Sequence, residues 1–197
     1  TAGQPDAPVV EVTYHSYELS PDTPVDFDGS EIDFLAGHKG IPAEQVRQML
    51  ENVTGVAAQA GLEYNFDILK HTNTVKAHEL LHYAKEQGVQ PQMMERLMRA
   101  YFTEGGHVGR VDDLAVLAAE IGLDAAATRE ALASGRFTAA VRADQAQAQA
   151  YGINGVPFFV IDGRYGVSGA QPAEAFAQIL RQVWDERGAA TVQTEPA

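Results

Sequence analysis

The sequence predicts an α/β protein in which an all-helical block separates one strand from a later strand hairpin. Apolar residues recur every three or four positions through the middle of the chain, as they do on amphipathic helices. The last third instead contains an unbroken apolar run, followed by the turn dipeptide Asp162-Gly163. The length of 197 residues suits one large domain or a small domain with an insertion.

The first part of the chain predicts a strand, a loop and a helix. Residues 9–15 are rich in β-branched and aromatic side chains, which favour a strand. A loop rich in proline and aspartate follows as far as Gly29. Pro42 suits the first turn of a helix, and Gly61 suits its end. The apolar positions of this helix are Val46, Met49, Leu50, Val53, Val56, Ala57 and Ala60.

Five more helices are predicted in the block that follows a short extended piece at 66–69. Each has apolar residues on one face, and most end at glycine. Asn73 or Thr74 caps the first of them, and Asp124 caps the fourth. Their predicted ranges are 74–87, 91–104, Val111–Glu120, Ala125–Ala133 and 137–151.

The pattern changes to β-structure after residue 153. The continuous apolar run Phe158–Ile161 predicts a strand buried on both faces. Asp162-Gly163 supplies the positive φ angles of a tight hairpin, and Tyr165–Ser168 is the predicted partner strand. Pro172 then begins a final helix, and residues 189–197 are predicted to be disordered. The residues of this helix predicted to face inward are Phe176, Ile179, Leu180, Val183 and Trp184.

Composition excludes several classes of function. The 27 acidic and 14 basic residues give a net charge of −13, which repels nucleic acid and anionic membrane surfaces. No apolar run approaches the ~20 residues that cross a bilayer. The chain contains no cysteine, so its 197 residues provide no disulfide, no thiolate metal ligand and no cysteine nucleophile. This composition favours a cytoplasmic location.

Pro157 stands immediately before the apolar strand. Because proline has no N–H to donate to a sheet, it belongs at the first position of a strand. The cis form of a peptide bond is accessible at modest cost only before proline. The Val156-Pro157 bond is therefore a candidate for a cis bend beside the sheet.

Several segments together resemble one known family. Residues 150–163 read AYGINGVPFFVIDG and residues 167–172 read VSGAQP. With YEL at 17–19, NT at 73–74, AH at 77–78 and RAYF at 99–102, they resemble the FrnE-type subgroup of the DsbA family, a branch of the thioredoxin fold. The resemblance extends from Val9 to Trp184.

The resemblance implies a domain organisation and a site. It implies a thioredoxin-like domain made of 1–42 and 136–188, interrupted by a helical insertion domain at 43–135. It also implies that the Val156-Pro157 bond is cis and that the main chain of Val156 receives an extended substrate as an added strand. Asn73 and Gln171 are the further substrate-binding residues that it implies.

The family's first strand and helix, with a Cys-x-x-Cys motif at their junction, are expected before Val9. Only eight loop-like residues stand there. We therefore expect that this chain lacks that strand and helix and that, without cysteine, it is inactive in dithiol exchange. An exposed apolar surface would follow, so the chain is expected either to form a homodimer or to be a piece of a longer protein.

Four functions stay open. The first is a thiol–disulfide oxidoreductase acting on a thiol or disulfide peptide, or on a small thiol, through cysteines outside these residues. The second is a glutathione-dependent isomerase or transferase of the same superfamily, in which a serine would replace the nucleophilic cysteine at the missing junction. Residues 168–171 correspond to a region that contacts glutathione in related branches, although a helix cap is the favoured role for them here. The third is a non-catalytic binding module. No cofactor is implied beyond glutathione as a ligand or substrate.

The fourth function is a zinc hydrolase, suggested by the H-E-x-x-H pattern of His78, Glu79 and His82. A third ligand at a recognisable spacing is absent from the sequence. The apolar stripe of this helix also leaves both histidines at its border, so we predict no metal site here. The stripe consists of Ala77, Leu80, Leu81 and Ala84.

Overall fold

A computed structural model describes residues 10–192, with the side chains of residues 10–187. By its contacts the chain divides into two compact units, one within 13–147 and the other formed by 10–12 together with 148–192. The predicted boundaries of the helical insertion domain, residues 43 and 135, come from the family resemblance and stay a prediction. The elements in chain order are α1 (Glu31–Lys39), α2 (Ala43–Gln59), α3 (Val75–Glu86), α4 (Gln90–Phe102), α5 (Val111–Glu120), α6 (Ala125–Ala133), α7 (Thr138–Ala150), β1 (Phe158–Ile161), β2 (Tyr165–Ser168) and α8 (Ala173–Val192).

The unit within 13–147 is helical and has its own core. Helix α3 packs against α4, α5 and α6, and α5 packs against α6. The predicted apolar stripe of α3 lies in this core, which burial of apolar surface stabilises. The core consists of Ala77, Leu80, Leu81, Tyr83, Ala84, Met93, Leu97, Ala100, Val108, Leu114, Leu117, Ala118, Ala131, Leu132 and Phe137.

Most predicted helices are confirmed, and two helices begin at side-chain caps. Asp124 accepts a hydrogen bond from the N–H of Ala127 at 2.7 Å at the start of α6. The sequence prediction omitted α1, which begins at a capping box between Ser30 and Asp33. Gly40 ends α1 with φ of 64°.

The predicted strand at 9–15 is wrong for the residues that the structure describes. Residues 10–15 form no strand, and Val9 lies outside the described residues. The main-chain groups of Tyr14 bind a side chain instead of a neighbouring strand. The N–H of Tyr14 donates to Gln90 Oε1 at 3.1 Å, and its C=O accepts from Gln90 Nε2 at 3.0 Å. Both main-chain groups of Tyr14 are thus hydrogen-bonded without a sheet. The short extended piece predicted at 66–69 contains a turn at 66–68 instead.

The second unit contains the predicted hairpin. Strands β1 and β2 are antiparallel, with Phe158 opposite Ser168 and Ile161 opposite Tyr165. Asp162 and Gly163 have φ angles of 57° and 66°, which is the conformation expected of an Asp-Gly hairpin turn. The N–H of Arg164 donates to the C=O of Ile161 at 3.1 Å and closes the turn.

Three expectations about this unit are wrong. Strand β1 is not buried on both faces, since Phe159 and Val160 are 40% and 42% exposed. The ring of Phe159 packs edge to face on that of Phe176 in α8, with the ring centroids 4.7 Å apart. Helix α8 therefore covers the Phe159 face of the strand only in part. Trp184, predicted to face inward, is 48% exposed. Helix α8 also continues through 189–192, where disorder was predicted, and residues 193–197 lie outside the described part of the chain.

Among residues 10–192, no helix combines the length and the apolar character needed to cross a bilayer.

Candidate functional site

An open cleft of about 390 Å³ lies at the start of β1. All of its lining residues belong to the unit that contains the hairpin. Main chain forms much of its wall, because three of the lining residues are glycines. The lining residues are Gly152, Asn154, Gly155, Val156, Pro157, Phe158, Ser168 and Gly169.

Pro157 connects the cleft to the hairpin. The Val156-Pro157 peptide bond is cis. The C=O of Pro157 accepts a hydrogen bond from the N–H of Gly169 at 2.9 Å. This bond continues the β1–β2 pairing by one position beyond Phe158 and Ser168, so the sheet fixes the position of Pro157.

The main-chain groups of Val156 have no hydrogen-bond partner among the described residues. Within residues 10–192, neither its N–H nor its C=O takes part in a hydrogen bond. The residue is 45% exposed and lines the cleft. An exposed N–H and C=O next to a strand are the groups that an extended peptide uses when it adds to a sheet.

The segment before Val156 is held by local hydrogen bonds. Helix α7 ends at Ala150, and the N–H of Ile153 returns to the C=O of Ala148 at 2.9 Å. Gly152 has φ of 70°, a conformation that favours glycine. The side-chain amide of Asn154 donates to the C=O of Gly152 at 3.1 Å. These contacts set the direction in which the chain enters the cleft, a role that the sequence prediction did not give to Asn154.

Gln171, a predicted substrate-binding residue, is near the cleft but does not line it. Its Nε2 donates to the C=O of Ser168 at 2.9 Å. Ser168 and Gly169 are lining residues, so Gln171 contacts a residue of the cleft wall without being one.

Asn73, the other predicted contact, belongs to the unit within 13–147. Both ends of its side-chain amide are in use. Nδ2 donates to the C=O of Pro21 at 2.9 Å, and Oδ1 accepts from the N–H of Val75 at 2.9 Å. These bonds fix the start of α3, and contact of Asn73 with a substrate stays a prediction.

The H-E-x-x-H residues have structural partners. Glu79 is buried and accepts from Lys76 Nζ at 2.9 Å and from Thr138 Oγ1 at 2.8 Å. A general base of a zinc enzyme faces a metal-bound water, and these contacts occupy Glu79 instead. Among residues 10–192, no group of three or more histidine or acidic side chains has metal-binding geometry.

Asp144 is a partly buried polar centre that the sequence prediction missed. Its carboxylate contacts His15 Nδ1 at 2.8 Å, the N–H of Ser16 at 2.7 Å and His82 Nε2 at 3.1 Å. Burial acts to raise the pKa of Asp144, but the hydrogen bonds from Ser16 and His15 hold that pKa below its usual value. Burial also lowers the pKa of His78, with the charge of Glu18 opposing it.

This cluster is not a catalytic triad. A triad histidine uses one ring nitrogen for the nucleophile and the other for the carboxylate. Here His82 Nε2 is 3.2 Å from Ser16 Oγ and 3.1 Å from Asp144 Oδ2, so one nitrogen faces both groups. The cluster holds the segment around Ser16 against α3 and α7. No sequence motif reveals this cluster, because Ser16 and Asp144 are 128 residues apart in the sequence.

Comparison with known proteins gives the family. The family model described as a DSBA-like thioredoxin domain matches residues 2–181. A crystal structure of a probable DsbA oxidoreductase from Streptomyces coelicolor has a TM-score of 0.83 and 39% identity, over 89% of this chain and 76% of that one. A Nitrosomonas europaea protein provisionally named a protein disulfide isomerase has a TM-score of 0.60 and 19% identity, over 75% and 76% of the two chains, and shows a likeness of fold.

A curated relative adds a match in sequence. The uncharacterized protein YwbO of Bacillus subtilis is 32% identical over 133 residues, which are 66% of this chain and 65% of that protein. The chain therefore spans just under two thirds of the length of this relative. The described residues combine eight helices with a small two-stranded sheet, in the manner of a thioredoxin-like fold with a helical insertion. The chain belongs to the family of DsbA-like thioredoxin domains.

Proposed function

We propose that this chain provides the substrate groove of a thiol–disulfide oxidoreductase and binds an extended peptide along Val156. One observation carries the proposal, namely that Val156 is 45% exposed, lines an open cleft and has no hydrogen bond to its N–H or C=O from any residue that the structure describes. Membership of the DsbA-like family and the Streptomyces coelicolor relative support it.

The groove would act by strand addition. A peptide main chain that pairs with Val156 gains two hydrogen bonds, and the cleft admits the side chains on either side of the paired residue. Pro157 has no N–H, and its C=O is already bonded to Gly169. The pairing therefore involves Val156 and fixes which residue of the peptide lies at the cleft.

Chemistry needs a group that these 197 residues do not contain. Attack on a disulfide requires a thiolate, and the sequence has no cysteine. The chain on its own would position a thiol or disulfide peptide. A cysteine thiolate from outside these residues would attack a bound disulfide and release one of its two sulfurs as a thiolate, whereas a bound thiol, as its thiolate, would attack a disulfide formed by such cysteines. Membership of the FrnE-type subgroup and a cytoplasmic location remain predictions from the sequence.

Peptide titration followed by NMR tests the groove. We expect an extended peptide containing one cysteine to shift the amide signal of Val156 and to slow exchange of that N–H. Peptides N-methylated at successive positions should bind like the parent except at the residue that pairs with Val156. Glutathione serves as a comparison ligand. If it shifts the Val156 amide signal and binds more tightly than the peptide, the result would favour a glutathione-dependent isomerase or transferase.

An activity assay tests whether the chain binds a peptide without catalysing disulfide reduction. The 197-residue chain should not accelerate reduction of insulin by dithiothreitol. Acceleration would contradict the proposal, and so would a peptide that binds without affecting Val156.

A further inference from the structure

The turn between β2 and α8 holds the wall of the cleft. Gly169 has φ of 80°, in the left-handed region that favours glycine. This conformation directs its N–H at the C=O of Pro157, 2.9 Å away. The position of Pro157, and with it that of Val156, depends on how firmly this turn is held.

The side chain of Gln171 holds the turn. Its Nε2 donates to the C=O of Ser168 at 2.9 Å, one residue before Gly169. The same nitrogen lies 3.7 Å from the point where a Cβ on Gly169 would stand, so the amide lies over the turn. Two hydrogen bonds in series therefore connect Gln171 to the cleft, first to Ser168 and then from Gly169 to Pro157.

We propose that Gln171 is a positioning residue for the Val156-Pro157 loop and does not itself contact the peptide. Its amide restricts the Ser168-Gly169 turn, which holds Pro157 in place and keeps the main chain of Val156 directed at the cleft. The inference rests on the proposed function of Val156. It revises the sequence prediction that Gln171 binds substrate directly, because Nε2 of Gln171 donates to the Ser168 carbonyl and the residue is not among those that line the cleft.

Substitutions that keep the size of the side chain test the hydrogen bond. Gln171→Met removes the donor, and Gln171→Glu puts an acceptor opposite the Ser168 carbonyl. Gln171→Lys supplies a donor again. Gln182→Met is the matched control, because it also removes one side-chain hydrogen bond, the one from Gln182 to Glu186 at 3.0 Å within α8.

The first measurement is hydrogen exchange of the Gly169 amide without any peptide. We expect exchange to be about 3–10 times faster in Gln171→Met and Gln171→Glu, since the turn opens more often, and to be partly restored in Gln171→Lys. Gln182→Met should exchange like the wild type. Unchanged exchange in both Gln171→Met and Gln171→Glu would overturn the proposal, whatever the peptide does.

The second measurement is peptide affinity by NMR titration. Gln171→Met should weaken binding about 3–10-fold while the same N-methylated peptide remains the one that fails to bind. A change in which N-methylated peptide fails, or loss of affinity without faster Gly169 exchange, would mean direct contact and overturn the positioning role. Failure of the wild type to bind any peptide would overturn the proposed function of Val156, an outcome that the Gly169 exchange data distinguish.

Discussion

Thr138, the first residue of α7, donates a hydrogen bond from Oγ1 to Glu79 Oε1 of α3 at 2.8 Å. Glu79 is 1% exposed, and its other oxygen accepts from Lys76 Nζ, which also donates to the C=O of Leu132. One buried carboxylate therefore connects α3 with α7 and, through Lys76, with the end of α6. Its buried position explains why a motif residue of metalloproteases occurs here without a metal-binding arrangement among the described residues.

Replacing Glu79 should reduce stability. In Glu79→Ala, Thr138 and Lys76 lose a buried partner, and we expect a cost of about 2–4 kcal/mol in the free energy of unfolding. Glu79→Gln keeps an acceptor for Thr138 and should cost less than half of that. Urea denaturation followed by circular dichroism measures both. Equal and small effects in the two variants would contradict the role of the carboxylate.

Asp144 should make stability depend on pH. Asp144→Asn removes the charge that His15, Ser16 and His82 contact, and near neutral pH we expect a loss of about 1–2 kcal/mol. The pKa of Asp144 is lower in the folded chain than the value of about 3.9 in an unfolded one. Between the folded and the unfolded pKa, the unfolded state binds more protons than the folded state. The stabilisation from Asp144 is therefore complete above about pH 5 and is lost as the pH falls through the folded pKa.

The difference in urea midpoint between the wild type and Asp144→Asn should therefore be largest at pH 7 and should shrink as the pH falls from about 5 through the lowered pKa of folded Asp144. Asp112→Asn is the control, because Asp112 forms an ion pair with Arg129 at 2.8 Å but its side chain is 87% exposed. Its effect should stay within about 0.5 kcal/mol. A constant difference between wild type and Asp144→Asn across this pH range would argue against the lowered pKa.

The sequence predicted the elements whose signals are local. Asp124 marks the start of α6, and Asp162-Gly163 marks the hairpin, because each residue sets the backbone conformation next to it. Helix α1 was missed because its residues show no apolar stripe, and the capping box between Ser30 and Asp33 is its main signal. Local pattern does not reveal contacts between distant segments. For that reason residues 9–15, which have strand composition, were predicted to form a strand.

The candidate site was predictable in part, because some of its residues belong to a local motif. Val156 and Pro157 stand in one short motif, and the motif locates the cleft that they line. The role of Gly169 depends on the register between β1 and β2, which the sequence does not state. Asn154 and Asp144 were not singled out, since their partners become visible only when the chain is folded.

The Gln90 side chain should be essential for the position of Tyr14. It satisfies both main-chain groups of Tyr14, and Gln90 itself is 4% exposed. Gln90→Ala leaves a partly buried N–H and C=O without a partner, which we expect to cost about 1–3 kcal/mol. Gln92→Ala, an exposed position on the same helix, should change stability by less than about 0.5 kcal/mol. Faster exchange of the Tyr14 amide in Gln90→Ala alone would locate the effect.

Two glycines should respond in opposite directions to alanine. Gly55 is exposed within α2, and a Cβ there meets nothing within 4 Å. Gly55→Ala should therefore stabilise the chain by about 0.5–1 kcal/mol, because alanine loses less backbone entropy in a helix. A Cβ on Gly166 of β2 would lie 2.9 Å from Phe158 Cζ, so Gly166→Ala must displace that ring.

Because Phe158 lines the cleft beside Pro157, the displacement should reach the proposed groove. We expect Gly166→Ala to cost about 1–2 kcal/mol and to shift the amide signals of Val156 and Gly169, whereas Gly55→Ala leaves them unchanged. Thermal melts and two-dimensional NMR spectra of the two variants provide the comparison. A stabilising Gly166→Ala with an unperturbed cleft would show that the ring of Phe158 moves aside freely and that its position does not shape the site.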